Sequence, residues 1–187
     1  MIPLRTPGND AWALRSATIA DEVELLDAVN PVRLRTPKTL QLAEAWEGMR
    51  PAPGVLPGRQ HFDPSVVGRL PPQVLTLDLL RDEGEMRAVR YRLIGSTIRD
   101  AYGEDTTGKM VEMFPHHFRL AAETGRPVWR FGPPAQAILK GRVTAIENLI
   151  LPLATDGENA DVLVMLSVFF DQSGREFRPF RSRVRLA

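Results

Sequence analysis

The longest nearly apolar run in the chain, Val162 to Phe170, is nine residues long and contains one hydroxyl, Ser167. A membrane-spanning helix needs roughly 20 residues. The run therefore reads as a buried strand. It also sets the reading of what precedes it. Thr155-Asp156-Gly157-Glu158-Asn159 carries an Asp-Gly turn signal, and Asp-Gly between two apolar runs marks a hairpin. Arg142 to Leu153 and Val128 to Phe131 supply two further strands. Upstream, Leu75, Leu77 and Leu79 alternate with Thr76 and Asp78. After the turn Arg81 to Glu85, Val89, Tyr91 and Leu93 alternate with Arg90 and Arg92. That pattern is a hairpin with one buried face.

The middle of the chain is helical and punctuated by glycine. Ile98, Ala101 and Tyr102 predict a short helix stopped at Gly103 in a left-handed cap. Asp105 or Thr106 could cap a second short helix through Met110, Val111, Met113 and Phe114, and a longer one covers His116 to Glu123 and ends at Gly125. Ahead of the strands, Thr18 with Asp21 predicts a helix over 18–29, whose apolar face carries Ile19, Val23, Leu26 and Val29, with Pro31 ending it. Thr36 as cap and Pro37 at the first helical position predict another, with Leu40, Ala43, Trp46 and Met49 as its stripe. Six prolines between Pro51 and Pro72 rule out a continuous helix there. Two strands, grouped helices, then three strands read as an α+β fold. The expected organisation is an arm with a short helix over 1–35, a leading helix and Pro-rich linker over 36–72, the sheet domain over 73–172, and an Arg-rich tail over 173–187.

Composition removes several chemistries. There is no cysteine, hence no disulfide, thiolate metal site, thiol nucleophile or thiol-linked chromophore. Net charge is +1, so no global field favours nucleic acid. The N-terminus has no apolar stretch of signal-peptide length, and a soluble cytoplasmic protein is expected. Hydrophobic residues at 43% and charged residues at 25% are globular values.

The more specific pattern lies in Trp46, Leu56-Pro57-Gly58-Arg59, Phe62-Asp63-Pro64 and Leu70-Pro71, followed by Tyr91 to Ile98, Tyr102 to Lys109, and Leu151-Pro152-Leu153-Ala154 with Asp156-Gly157. In that order and spacing, over roughly residues 40–172, the chain resembles bacterial single-domain PAS proteins, the branch best known from alphaproteobacteria. Pro133-Pro134 after the third strand departs from the family's pattern. The resemblance implies a five-stranded antiparallel sheet with short helices between strands two and three, forming a pocket. It further implies a stand-alone sensory or regulatory module, not an enzyme, that binds a small molecule or a partner protein and signals through protein contacts. The two N-terminal helices are placed to pair two protomers as a homodimer.

Tyr91, Tyr102, Phe114, Phe118 and Trp129 are the candidate ligand-binding residues, as an aromatic lining with a few polar tips suits a small organic ligand. Plain core packing is the competing reading for each. No cofactor is specified. His116-His117 sits where haem-binding PAS domains carry an axial histidine, but adjacent helical residues point about 100° apart and only one could face inward. A flavin would have to be held without a covalent bond. Asp100, Glu104, Asp105 and Glu112 read as a cap and a solvated face rather than acid–base groups. Glu147 shares strand parity with Val143, Ala145, Leu149 and Leu151. On a buried face it requires a partner, for which an arginine is the natural choice. Two alternative functions stay open. One is a small pocket enzyme of isomerase or dehydratase type, needing His117 or Glu147 at the cavity floor. The other is binding to an anionic surface by the tail, where Arg175, Arg178, Arg181, Arg183 and Arg185 face only Glu176.

Overall fold

The computed structural model describes residues 19–27, 33–62, 71–134 and 143–177. The chain is α+β, built on an open six-stranded antiparallel sheet in the order β1-β4-β5-β6-β2-β3. The strands are β1 (Glu22–Leu25), β2 (Val74–Asp82), β3 (Glu85–Ile94), β4 (Val128–Gly132), β5 (Ala145–Leu153) and β6 (Val162–Phe170). Three helices accompany them: α1 (Pro37–Gly48), α2 (Ser96–Tyr102) and α3 (His116–Thr124). None among the described residues is long and apolar enough to cross a membrane.

Local chemistry accounts for most of these boundaries. Thr36 is extended and its hydroxyl accepts from Thr39 N at 3.3 Å, while Pro37 opens α1 where its missing N–H costs nothing. β2 and β3 are joined by Glu83-Gly84 alone, with φ of 50° and 85°. Two consecutive positive φ values make the primed turn that matches strand twist, so this hairpin is tighter than the five-residue turn expected from sequence. α2 stops at Gly103 with φ 79°, as expected for a left-handed cap.

β5 and β6 form the core, and β5 is buried at every residue. Such strands need cover on both faces. One face carries Trp129 and Phe131 of β4, Glu147, Leu149 and Leu151 of β5, and Val164, Leu166 and Val168 of β6, which the register brings into rows. It is covered by α1 and the residues just before it. Leu42, Ala43 and Trp46 are buried there, and Trp46 Nε1 donates to Pro152 O at 2.8 Å. The stripe of α1 thus packs on the chain's own sheet rather than being left for a second chain. The opposite face carries Arg130, Asn148, Ile150, Met165, Ser167 and Phe169, and α2 and α3 lie over it with Ile98, Ala101, Phe118, Ala121 and Ala122 buried.

Three expectations are corrected. The sheet has six strands, not five, because 22–25 is a strand and not part of a helix over 18–29. Glu22 to Leu25 pairs residue for residue with Phe131 to Val128. The free edge of β4 offers ladder partners that a short helix with β-branched Ile19 and Val23 cannot match. Val29 and Pro31 lie outside the described residues. Second, Met110 to Phe114 is not helical. Tyr91 N donates to Lys109 O at 3.0 Å, Gly108 N to Tyr91 O at 2.7 Å and Val111 N to Val89 O at 2.8 Å, so this segment runs along the outer edge of β3. Asp105 accordingly accepts from Thr107 N in a local turn rather than capping a helix. Third, β5 begins at Ala145; Arg142 lies outside the described residues. The tail begins against the sheet, in keeping with the sheet-edge form of a solvated or sheet-edge tail. Phe177 N donates to Phe169 O at 2.7 Å, and Glu176 contacts Lys38. Arg178, Arg181, Arg183 and Arg185 lie outside the described residues.

Candidate functional site

The feature that stands out from this apolar core is a polar row on the face beneath α2 and α3. Antiparallel register sets Arg130, Asn148 and Ser167 directly side by side on β4, β5 and β6. Arg130 Nη1 donates to Asn148 Oδ1 at 3.2 Å, and Asn148 Nδ2 donates to Ser167 Oγ at 2.8 Å. All three are buried. Arg130 also donates through Nη2 to Pro133 O at 2.9 Å. This is the place of the Pro133-Pro134 departure, and the first of those prolines supplies an acceptor for the buried cation.

A buried guanidinium requires a counter-charge. Arg130 finds it in Asp21, just before β1, with Oδ1 2.8 Å from Nε. The approach is off the N–H axis, so Nε has a charge contact but no hydrogen bond. Asp21 sits opposite Gly132, the residue after Phe131 in the β1–β4 register. A Cβ at Gly132 would overlap Asp21 Oδ1. The glycine therefore leaves a notch, and the carboxylate fills it.

α3 delivers His117 toward the same place. His116 is exposed and His117 half-buried, so one of the pair faces inward, as helical geometry requires. His117 packs against Phe118 with ring centroids 4.8 Å apart and the rings tilted by 35°. Burial, and then the nearby positive charge of Arg130, push its pKa down to about 4, with Asp21 opposing and His116 adding slightly. The imidazole is therefore neutral at physiological pH. Tyr102 of α2 is within the electrostatic reach of both Tyr91 and Arg130. Burial raises its pKa, Tyr91 adds to this and Arg130 opposes it. Tyr91 is raised too, by burial first and then by Glu104 and Glu112. Both phenols remain neutral donors.

The five residues singled out from sequence divide between the two faces. Phe118 is buried on α3, and Phe114 is half-buried and stacks on it at 5.8 Å. With Tyr102 and Tyr91 they belong to the α2–α3 side. Trp129 does not. Its parity with Phe131 was read correctly, but both point to the α1 side, where their rings lie 6.4 Å apart beneath the Arg35 guanidinium, which is 3.8 Å from the Phe131 centroid. There Trp129 Nε1 donates to Glu147 Oε1 at 2.9 Å, and the backbone N–H of Arg35 donates to the same oxygen at 2.6 Å. Glu147 is 0% exposed and its Oε2 has no hydrogen-bond partner. Burial raises its pKa against the opposing bonds from Arg35 N, Trp129 and Thr36 and the Arg35 charge. Glu147 and His117 thus occupy opposite sides of the sheet and cannot act as a pair.

The remaining candidates are surface groups. Glu104 pairs with Lys109 at 3.2 Å, and Asp105 with Arg99 at 3.6 Å, both exposed. Arg99, Asp100, Gly103, Glu104 and Asp105 line an open depression of about 300 Å³. Among the described residues no group of three His, Asp or Glu side chains could hold a metal ion.

No family model matches the chain, and no curated protein sequence does. One solved structure aligns with it. That structure, described as an RNA-binding Light-Oxygen-Voltage receptor, is 11% identical, covers 83% of this chain and gives a TM-score of 0.43. The aligned part is 40% of the receptor's own chain. The fold of this chain is defined by its own strand order rather than by that likeness.

Arg130, Asn148 and Ser167 were not among the sequence candidates. Each sits in a strand between apolar neighbours at alternate positions. Ser167 interrupts the longest apolar run, and that interruption was the available signal.

Proposed function

We propose that the chain is a sensory or regulatory module of the PAS kind. It takes a small molecule between the β4–β6 face and the α2–α3 cover and passes the event to a partner protein by contact. The strand order supports the PAS part. With β1 set aside, the remaining five strands lie in the order β4-β5-β6-β2-β3, and α2 and α3 fall between the second and third of them in sequence. This is the arrangement that the sequence resemblance implies.

The polar row carries the ligand part. Placing an arginine, an asparagine and a serine side by side in an apolar face costs stability that Leu or Val at the same positions would not. Such a row supplies the few convergent polar groups that orient a ligand in an otherwise apolar site. His117, Tyr102 and Tyr91 add neutral polar tips from the cover.

Thermal-shift screening of a small-molecule set against the wild type and Asn148→Leu tests this reading. The expected result is a set of compounds that stabilise the wild type and lose most of that effect in the variant. A wild type that no compound stabilises, beside an Asn148→Leu variant of lower stability, would mean the row is structural and the module acts through protein contacts alone.

A further inference from the structure

The charge pattern around Arg130 specifies the ligand class more narrowly, and this inference rests on the ligand reading above. Several groups face the guanidinium. Asn148 Oδ1 and Pro133 O are neutral acceptors. His117, from α3, is neutral at physiological pH, and Tyr102, from α2, remains a neutral phenol. Among the described residues the one negative partner is Asp21. Yet the two sides of this ion pair differ sharply in setting. The arginine side chain is 7% exposed and anchored in the second strand of the sheet order, whereas the aspartate is 52% exposed and precedes a strand of four residues at the sheet edge. The carboxylate lies in a notch that exists because position 132 has no side chain.

We infer that Asp21 stands in for the carboxylate of a small organic acid, which displaces it from Arg130 and frees β1 from the edge of β4. A guanidinium matches a planar carboxylate with paired donors, and Nε has a charge contact but no hydrogen bond. An incoming carboxylate aligned with that N–H gains a bond that Asp21 does not make. Asn148 and Ser167 continue the row away from the notch. Arg130, Asn148 and Ser167 are all buried and the row is internally bonded, so the acid is short. The consequence for signalling is direct, because the pairing of residues 22–25 with β4 is held next to the contact that the ligand removes.

The probes are sodium lactate and sodium pyruvate, with lactamide as the uncharged control, on the full chain. Calorimetry is run on the wild type, Asp21→Asn and Arg130→Gln, with hydrogen exchange on residues 19–27. An internal carboxylate competes at an effective concentration of order millimolar, so removing it should tighten binding of the acids by about tenfold in Asp21→Asn. Arg130→Gln should abolish binding, and exchange over 19–27 should rise when the wild type binds an acid but not with lactamide. Equal affinity of Asp21→Asn for lactate and lactamide overturns the inference. So does acid binding that survives in Arg130→Gln. Should Asp21→Asn fail to fold, the wild-type exchange decides, and an unchanged 19–27 at saturating acid is refutation. If neutral compounds engage the Asn148 row while the acids do not, the ligand reading stands and only the carboxylate falls.

Discussion

Replacing Asp78 by asparagine keeps the outline of the side chain and removes its charge. Asp78 lies on β2, and the register shift between Thr76 and Leu77 turns both Arg90 and Arg92 of β3 toward it. Its carboxylate takes Arg90 Nη2 at 2.8 Å, Arg59 Nη2 at 3.1 Å and Arg92 Nη1 at 3.3 Å. The aspartate is 7% exposed, and the arginines are 44–45% exposed. Water therefore screens each pair, and a half-exposed pair contributes about 0.2–1 kcal/mol. Three such pairs on one carboxylate sum to about 2 kcal/mol, which for a chain of this size lowers Tm by roughly 4–8 °C. The pH dependence follows from the same contacts. Burial alone would raise the pKa of Asp78, but the bonds from Arg90 and Arg92 and the charges of Arg92 and Arg59 hold it below the ordinary value. The contribution is thus complete above the ordinary carboxylate pKa and disappears as pH falls through the folded value. Urea unfolding of both proteins at pH 7 and pH 2.5, in low salt and in 1 M NaCl, measures this. The gap should narrow in salt, where screening acts over about 3 Å, and narrow in acid. A gap of the same size in all four conditions would show that packing, not charge, holds the sheet here.

Two further substitutions address the α1 side. Glu147→Gln keeps acceptors for Trp129 and Arg35 N while removing a carboxyl whose pKa burial raises. A raised pKa gives stability below the ordinary value that is lost as pH rises through the folded one. Relative to Glu147→Gln, the wild type should therefore lose stability from pH 4 to pH 8, by about 1.4 kcal/mol per unit of elevation, as read by urea unfolding of both proteins at the two pH values. Trp46→Phe deletes the indole donor to Pro152 O and leaves a buried carbonyl without it. The expected loss is about 1–3 kcal/mol in equilibrium denaturation, with an unchanged far-UV spectrum.

Much of the architecture was legible because local chemistry and tertiary packing agreed. The run Val162 to Phe170 is a strand from end to end. Thr36-Pro37 opens a helix, and Gly103 and Gly125 close two others. Glu22 to Leu25 was misread because its acidic start and apolar spacing satisfy a helix, while the partner that makes it a strand, β4, lies about a hundred residues away. Met110 failed for the same reason, since it answers the open edge of β3. The faces of the sheet posed a different problem. Period-two parity grouped Trp129 with Phe131 correctly, but parity does not say which helix covers which face. Trp129 was therefore grouped with the residues under α2 and α3, whereas it packs with Glu147 beneath Arg35. Arg130, Asn148 and Ser167 become a row through register alone, which a single strand does not reveal.

Both borders of the sheet are occupied by short pieces of the chain's own backbone, residues 22–25 along β4 and residues 108–111 along β3. Shortening the protein past Asp27 would strip one border and bare an unsatisfied line of amide and carbonyl groups on a hydrophobic strand. Two such fragments would then zip together there, edge to edge, as a closed pair. Recombinant fragments meant to stay dispersed should therefore start upstream of Asp21.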